Sequence, residues 1–166
     1  MIQIRKAVPT DIDGILQIYQ KETPSPSPFH IESEQDFFIP SPSYNKNTPS
    51  PIQSIEGWWV ALDQEYIVGV IGGELIDYIN SEIFDLMLHP NRRGEGIGTQ
   101  LLKTLTEQHI AQGACEQWVS IDKNFGTNAP FCIAQGFEYV PETLEGAKEW
   151  GIVYRYKRTI GPMKHP

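Results

Sequence analysis

Cysteine is scarce in this sequence, and clustered metal ligands are lacking. The 166 residues include 2 cysteines, Cys115 and Cys132, which are too few for a disulfide framework. The sequence has no CxxC or HExxH spacing, and its 4 histidines are scattered along the chain. We therefore expect no metal site.

Positive charge and long apolar runs are scarce as well. The chain has 13 Lys and Arg against 21 Asp and Glu, for a net charge of −8. This balance argues against binding nucleic acid or an anionic membrane through bulk charge. No stretch reaches the ~18 apolar residues of a membrane span, and the opening MIQIRKAVPTD has no apolar signal-type run. We expect a cytoplasmic protein that binds neither nucleic acid nor membrane.

The length and the 40% apolar content are typical of one packed domain, which we place at residues 1–166. Alternating residues predict a strand at Ile2–Lys6, and a helix is predicted over about 11–21. Seven prolines exclude regular helix or central strand between residues 23 and 51, so we interpret this segment as an insertion. Four aromatic residues there predict that it packs on the domain and helps to shape the acceptor pocket: Phe29, Phe37, Phe38 and Tyr44.

From Trp58 onward the pattern becomes one of strands. Runs rich in apolar and β-branched residues predict strands at 58–62, 66–75, 82–88, 116–122 and 152–158. A helix with one apolar side follows the third of these strands, and Gly113 is well placed to end it. A short helix is predicted after Pro130.

The strongest functional signal is a glycine-rich loop, HPNRRGEGIGT at residues 89–99, between a predicted strand and a predicted helix. Glycines let the backbone bend tightly and approach a ligand closely. The free amides at a helix start carry the positive end of the helix dipole. The loop therefore predicts a cradle for a phosphate or pyrophosphate, and Arg92 and Arg93 add positive charge beside it.

Three phosphate-binding motifs compete for this loop. A P-loop requires Gly-Lys-Ser/Thr, whereas Gly98 is followed by Thr99 and a glutamine. A dinucleotide-binding fingerprint needs its third glycine one residue later than this loop has it. It also needs an acidic residue about 20 positions on, at the end of a strand, whereas the acidic residue at that distance, Glu116, begins a strand. The acyl-CoA motif R-x-x-G-x-G matches at Arg93, Gly96 and Gly98. A plain glycine turn is the remaining alternative.

Residues 86–98, LMLHPNRRGEGIG, resemble the central motif of the GNAT acetyltransferase superfamily, L-x-V-x-P-x-x-R-G-x-G-I-G. The N-terminal IRKAVPTDID resembles the family's usual opening, and AQGF at 134–137 resembles its closing helix-to-strand element. The resemblance covers most of the chain except the proline-rich segment. It implies an α/β (α+β) fold with a mixed, mostly antiparallel central sheet flanked by helices.

The resemblance also implies an acyl-CoA N-acetyltransferase that uses acetyl-CoA as co-substrate. The acceptor would be a primary amine of a small molecule or peptide, which attacks directly without an acyl-enzyme, and a homodimer is allowed. A backbone amide near Leu88 would stabilise the oxyanion that forms on the thioester carbonyl oxygen. The pyrophosphate of CoA would be bound by the loop residues Arg93, Gly94, Glu95, Gly96, Ile97, Gly98 and Thr99. The pantetheine arm of CoA would be bound by Leu86, Met87 and Leu88.

Transfer to an amine needs a base for the ammonium group and a proton or stabilisation for the leaving thiolate. Glu82 and Asp85 on the strand before the loop are the candidate bases, and Asp122 is a third; a structural carboxylate is the alternative for each. The family often has a tyrosine that acts as the general acid, and at that position this chain has Cys132. Its thiol is a candidate acid, with a small buried side chain as the alternative and Tyr139 or water as other donors. This departure leaves open a catalytically inactive CoA-binding sensor or interaction module.

Overall fold

The computed structural model describes residues 1–22, 55–122, 129–141 and 153–161. The proline-rich segment 23–51 and its four aromatic residues lie outside these ranges. The predictions made for that segment therefore stay predictions.

A single sheet organises the described residues. Its strands are β1 Ile2–Lys6, β2 Trp58–Asp63, β3 Tyr66–Leu75, β4 Asn80–Leu88, β5 Glu116–Asp122, β6 Glu138–Tyr139 and β7 Val153–Thr159. The strands form a 7-stranded sheet in the order β1-β2-β3-β4-β5-β7-β6. Neighbours are antiparallel except for β4 and β5, which run parallel. The predicted mixed, mostly antiparallel sheet is confirmed.

Helices cover both faces of this sheet. They are α1 Ile12–Glu22, α2 Ile97–Ala111 and α3 Ala129–Ala134. On one face, Ile15 of α1 packs in a buried cluster with Val60 and Val70, and on the other face Leu101 of α2 packs in a second cluster with Ile71. Fully burying an aliphatic side chain of this size contributes roughly 1.5–3 kcal/mol, so these two clusters hold the helices on the sheet.

An ion pair fixes the chain where β1 leads into α1. The guanidinium of Arg5 donates to both carboxylate oxygens of Asp11, at 2.7 and 3.0 Å. The backbone amide of Val8 donates to the same carboxylate at 2.8 Å. Asp11 is buried, and these three hydrogen bonds satisfy it at the edge of the sheet.

The middle of β4 contains a β-bulge. Opposite β3, Gly73 pairs with Ile83 and Gly72 pairs with Asp85, so Phe84 is an extra residue on β4. Pairing between β4 and β5 ends at the same place, at Ile83 and Val119. Beyond this point, within the described ranges, β4 continues to Leu88 with β3 as its only neighbour, while β5 continues beside β7. The two parallel strands therefore diverge from the bulge onward.

Candidate active site

The glycine-rich loop lies directly after the diverging end of β4. Gly94 and Gly96 have φ angles of +83° and +81°, in the left-handed region that favours glycine. The helix α2 begins at Ile97, and the amide of Gln100 donates to the carbonyl of Gly96 at 3.1 Å. The amides of the first helical turn before Gln100 have no acceptor within the helix. These amides and the helix dipole make the loop suited to hold an anion.

Open space surrounds the two left-handed glycines. A Cβ atom added at Gly94 or Gly96 would meet no atom within 4 Å. At Gly98, by contrast, a Cβ would lie 3.5 Å from Leu88 and 3.8 Å from Phe131. The loop is thus open on its outer side and closely packed at its base, which is the shape expected of a cradle that receives a ligand.

Arg92 ties this loop to the end of β2. Its guanidinium donates to Glu95 at 2.7 and 3.1 Å and to Asp63 at 2.7 Å. The hydrogen bonds from Arg92 lower the pKa of Glu95. The charge of Arg92 is therefore offset by two carboxylates, so its contribution is to brace the loop. Arg93, the arginine of the matched motif, is exposed on the loop.

Two backbone amides of β4 point toward the side where β5 has diverged. The amide of His89 donates to the carbonyl of Val68 on the β3 side, at 2.8 Å. Amides alternate in direction along an antiparallel strand, so Met87 also faces β3 while Leu86 and Leu88 face away. A carboxylate oxygen of Asp85 accepts from the Leu86 amide at 2.9 Å. The Leu88 amide faces the opening between the diverging strands.

The bulge brings the two candidate bases onto one face of the sheet. Glu82 pairs with Glu74 and Asp85 pairs with Gly72, and these partners are two residues apart on β3. Paired residues share a face, so Glu82 and Asp85 lie on the same side. In a regular strand, residues three apart would point to opposite faces. The glycine pair opposite the bulge is the one sequence signal that could have indicated it.

Glu82 is held by an arginine that sequence reasoning missed. The residue is 2% exposed, and both of its carboxylate oxygens accept hydrogen bonds from Arg155 of β7. Arg155 also donates to the hydroxyl of Ser120 at 2.6 Å and lies 5.2 Å from the Trp118 ring centre. Burial raises the pKa of Glu82, and the hydrogen bonds from Arg155 oppose that rise. Nothing in the sequence pattern linked Arg155 to Glu82, since 73 residues separate them.

Cys132 lies on α3 and is buried in the same cluster as Val119 and Phe137. Burial raises the pKa of its thiol to about 11, and the charge of Arg158 opposes part of that rise. Tyr139 is 45% exposed and packs edge-on against Tyr154 at 5.7 Å. Asp122 ends β5, but its side chain lies outside the described part of the chain.

Among residues 1–22, 55–122, 129–141 and 153–161, no group of His, Cys, Asp and Glu could hold a metal ion. In the same ranges, no helix is long and apolar enough to cross a membrane.

Comparison with known proteins identifies the family. A model of the acetyltransferase (GNAT) family matches residues 12–137, which includes the bulged strand, the glycine-rich loop and α2. The chain belongs to the GNAT acetyltransferase family. The prediction of a GNAT-type N-acetyltransferase is thereby confirmed at the level of the family.

Individual relatives of this GNAT chain agree with that membership. It is 35% identical over 75 residues to an uncharacterised N-acetyltransferase of Methanocaldococcus jannaschii; the match covers 41% of this chain and 48% of that relative, about half its length. The Ard1 structure from Thermoplasma volcanium superposes with a TM-score of 0.71 at 15% identity, covering 97% of this chain and 99% of that one. The yncA structure from Salmonella typhimurium was solved with its cofactor acetyl-CoA. It superposes with a TM-score of 0.64 at 16% identity, covering 100% of this chain and 98% of that one. At these identities the two structures show the fold alone.

Proposed function

We propose that this GNAT protein transfers an acetyl group from acetyl-CoA to a primary amine by direct attack. The observation that carries the proposal is the divergence of β4 from β5 immediately before the glycine cradle. Such a site offers an unpaired strand edge that leads into an anion-binding loop. That combination suits a ligand with an extended amide-containing arm and a pyrophosphate. The structural neighbour solved with acetyl-CoA supports this choice of donor.

The donor is placed by backbone groups. The loop from Arg93 to Thr99 binds the pyrophosphate, and the edge from Leu86 to Leu88 pairs with the pantetheine arm. The Leu88 amide faces the opening and donates to the thioester oxygen as negative charge develops there. The Leu86 amide already has an acceptor in Asp85, so the arm pairs there through the Leu86 carbonyl.

Asp85 serves as the base in this proposal. Both oxygens of Glu82 accept from Arg155, whereas Asp85 lies half-buried where the strands diverge. Asp85 accepts a proton from the acceptor ammonium, and the neutral amine attacks the thioester carbon. A C–N bond forms, the tetrahedral intermediate collapses, and the C–S bond breaks to release CoA thiolate. The attacking nitrogen gives up a second proton as it becomes the amide.

The second proton of the attacking nitrogen passes through a water molecule to the leaving thiolate, so Cys132 is not required as the acid. A thiol with a pKa of about 11 is a weaker acid than an ordinary thiol, so proton transfer from it to CoA thiolate would run uphill. The same high pKa keeps Cys132 protonated and unreactive as a nucleophile, which supports direct attack without an acyl-enzyme.

The acceptor is a primary amine of a small molecule or a peptide. We further propose that residues 1–166 form one domain in which the segment 23–51 borders the acceptor pocket. The face that carries Glu82 and Asp85 is also the face on which α1 packs, and residue 23 directly follows α1. A crystal structure with the segment remote from Asp85 would contradict this placement.

The test measures release of free CoA thiol from acetyl-CoA with a panel of amines: polyamines, amino acids and short peptides. We expect at least one amine to accelerate release. Asp85→Asn should then lower kcat by about 100-fold, the scale of one general base, with acetyl-CoA affinity within about twofold.

Asp77→Asn is the matched control, because Asp77 caps the turn before β4, where its carboxylate accepts hydrogen bonds from the amides of Ile79 and Asn80. It should leave kcat unchanged. Binding of CoA without turnover for any amine would instead support a CoA-binding sensor. Full activity in Asp85→Asn would show that the base is another group.

A further inference from the structure

The ion pair between Glu82 and Arg155 spans the point at which the sheet divides. Glu82 lies one residue before the last paired residue of β4, Ile83, and Arg155 lies on β7, with β5 between them. Neighbouring strands are about 4.8 Å apart, so the Arg155 side chain reaches across roughly 10 Å of sheet. It joins the two sides of the sheet where the backbone hydrogen bonds between β4 and β5 end.

The geometry of this pair is tightly defined. A planar guanidinium that donates to both oxygens of one carboxylate fixes both their distance and their relative orientation. The hydroxyl of Ser120 accepts a further hydrogen bond from Arg155 at 2.6 Å, and the Trp118 ring lies under the guanidinium. The Trp118 indole in turn donates to Asn80 of β4 at 3.1 Å. Three strands thus contribute to one polar cluster.

Stability alone does not explain such a cluster. Removing two charges from water is costly, and a buried ion pair is often no more stabilising than two apolar side chains of similar volume. Glu82 is 2% exposed and the Arg155 side chain is 16% exposed, so both are largely desolvated. The benefit that an apolar pair cannot supply is a fixed geometry between β4 and β7.

We propose that Arg155 is a positioning residue that sets the width of the opening between β4 and β5. Asp85 is on the same face as Glu82, just past the bulge, and the Leu88 amide lies further along the same strand. If β4 swings away from β5, both groups move relative to a thioester held in the opening. This inference rests on the proposed acetyl transfer, because it assigns Arg155 a part in that reaction.

The first experiment compares Arg155→Lys with Arg5→Lys. Both changes keep the charge and remove a bidentate arginine–carboxylate pair, but the pair of Arg5 with Asp11 lies at the outer strand β1, away from the opening. We expect Arg155→Lys to lower kcat at least tenfold, with the KM for acetyl-CoA changed by less than threefold. Arg5→Lys should retain wild-type kcat. Equal kcat values for Arg155→Lys and wild type would overturn the proposal.

A second measurement needs no acceptor amine and tests the positioning role of Arg155 even if Arg155→Lys is unstable. Crystal structures of the wild type and the double variant Glu82→Met, Arg155→Met would give the distance between the Cα atoms of Asp85 and Ser120. The apolar pair should preserve folding, and we expect the distance to change by more than 1 Å. An unchanged distance contradicts the positioning role. If wild-type protein released no CoA thiol with any amine, the proposed function itself would fail, whatever this distance shows.

Discussion

Gly96 links backbone conformation to ligand binding. Its φ of +81° lies in the region that favours glycine, and a side chain there would extend into open space. In the proposed function that space holds the pyrophosphate of CoA. The residue is therefore constrained in two separable ways, by its own backbone and by the ligand.

Gly96→Asp should abolish CoA binding, because the new side chain fills the cradle and adds negative charge. Gly113→Asp is the matched control, since Gly113 also has a positive φ, of +104°, but ends α2 far from the cradle. Both variants should lose a similar amount of stability, roughly 1–2 kcal/mol, from placing a non-glycine residue in this region. Calorimetric titration should detect no CoA binding to Gly96→Asp and normal binding to Gly113→Asp. Normal affinity in a folded Gly96→Asp protein would disprove the loop assignment, and Gly98→Asp offers a second test.

His109 makes stability depend on pH. The residue is 1% exposed, and its Nδ1 atom has no hydrogen-bond partner among the described residues. Burial lowers the pKa of His109 from 6.5 to about 4. In the unfolded chain, His109 therefore binds a proton below about pH 6.5, whereas in the folded protein it binds one only below about pH 4. The folded state loses stability as the pH falls through this window.

We expect His109 to cost about 2 kcal/mol of folding free energy between pH 7.5 and pH 5. His109→Phe, which fills a similar volume and cannot titrate, should remove that share of the pH dependence. Urea unfolding of both proteins at the two pH values measures it. An identical loss of stability in the variant would mean that other groups cause the pH dependence.

At the scale of elements, Arg158 joins four parts of the fold. From β7 it donates to Gln117 of β5 at 2.9 Å, to Thr106 of α2 at 3.0 Å and to the carbonyl of Gln135, directly after α3, at 2.7 Å. Its guanidinium lies 4.6 Å from the Phe137 ring centre. Within the described ranges none of its partners is a carboxylate, and burial lowers the pKa of Arg158.

Arg158→Met should destabilise the protein by about 2 to 4 kcal/mol, because it removes three hydrogen bonds from a charged donor to the partly or fully buried acceptors of Gln117, Thr106 and Gln135. Chemical denaturation gives the value. Lys103→Met, on the exposed side of α2, controls for the loss of one positive charge and should change stability by less than about 0.5 kcal/mol. A similar small effect for Arg158→Met would show that these bonds add nothing to stability.

Sequence patterns predicted most of these elements but not how β4 is divided. Runs of apolar and β-branched residues predicted the strands β2 and β3, and the apolar side of the helix predicted α2. The sequence did not predict the bulge at Phe84, because one extra residue in a strand does not change the composition. For the same reason it did not predict that Glu82 and Asp85 share a face of the sheet. Contacts such as Arg155 with Glu82 depend on strand order, which local periodicity does not encode.

At the scale of the whole molecule, one local motif carried the family prediction. The R-x-x-G-x-G match is local in sequence, so Arg93, Gly96 and Gly98 could be assigned before the strands were ordered. The net charge of −8 argues against nucleic acid and anionic membranes as partners but does not identify the acceptor. Acceptor choice depends on how separate segments meet around Asp85, and composition does not encode that.

The most direct test of the central claim is thermal unfolding with acetyl-CoA, CoA or NAD at equal concentrations. A ligand at 100 times its dissociation constant should add roughly 2.7 kcal/mol of stability, which corresponds to a rise in midpoint of about 5 to 10 °C for a chain of this size. We predict this rise with acetyl-CoA and with CoA, and no rise with NAD. No rise with either CoA species, or a rise with NAD alone, would contradict an acyl-CoA cradle at the glycine-rich loop.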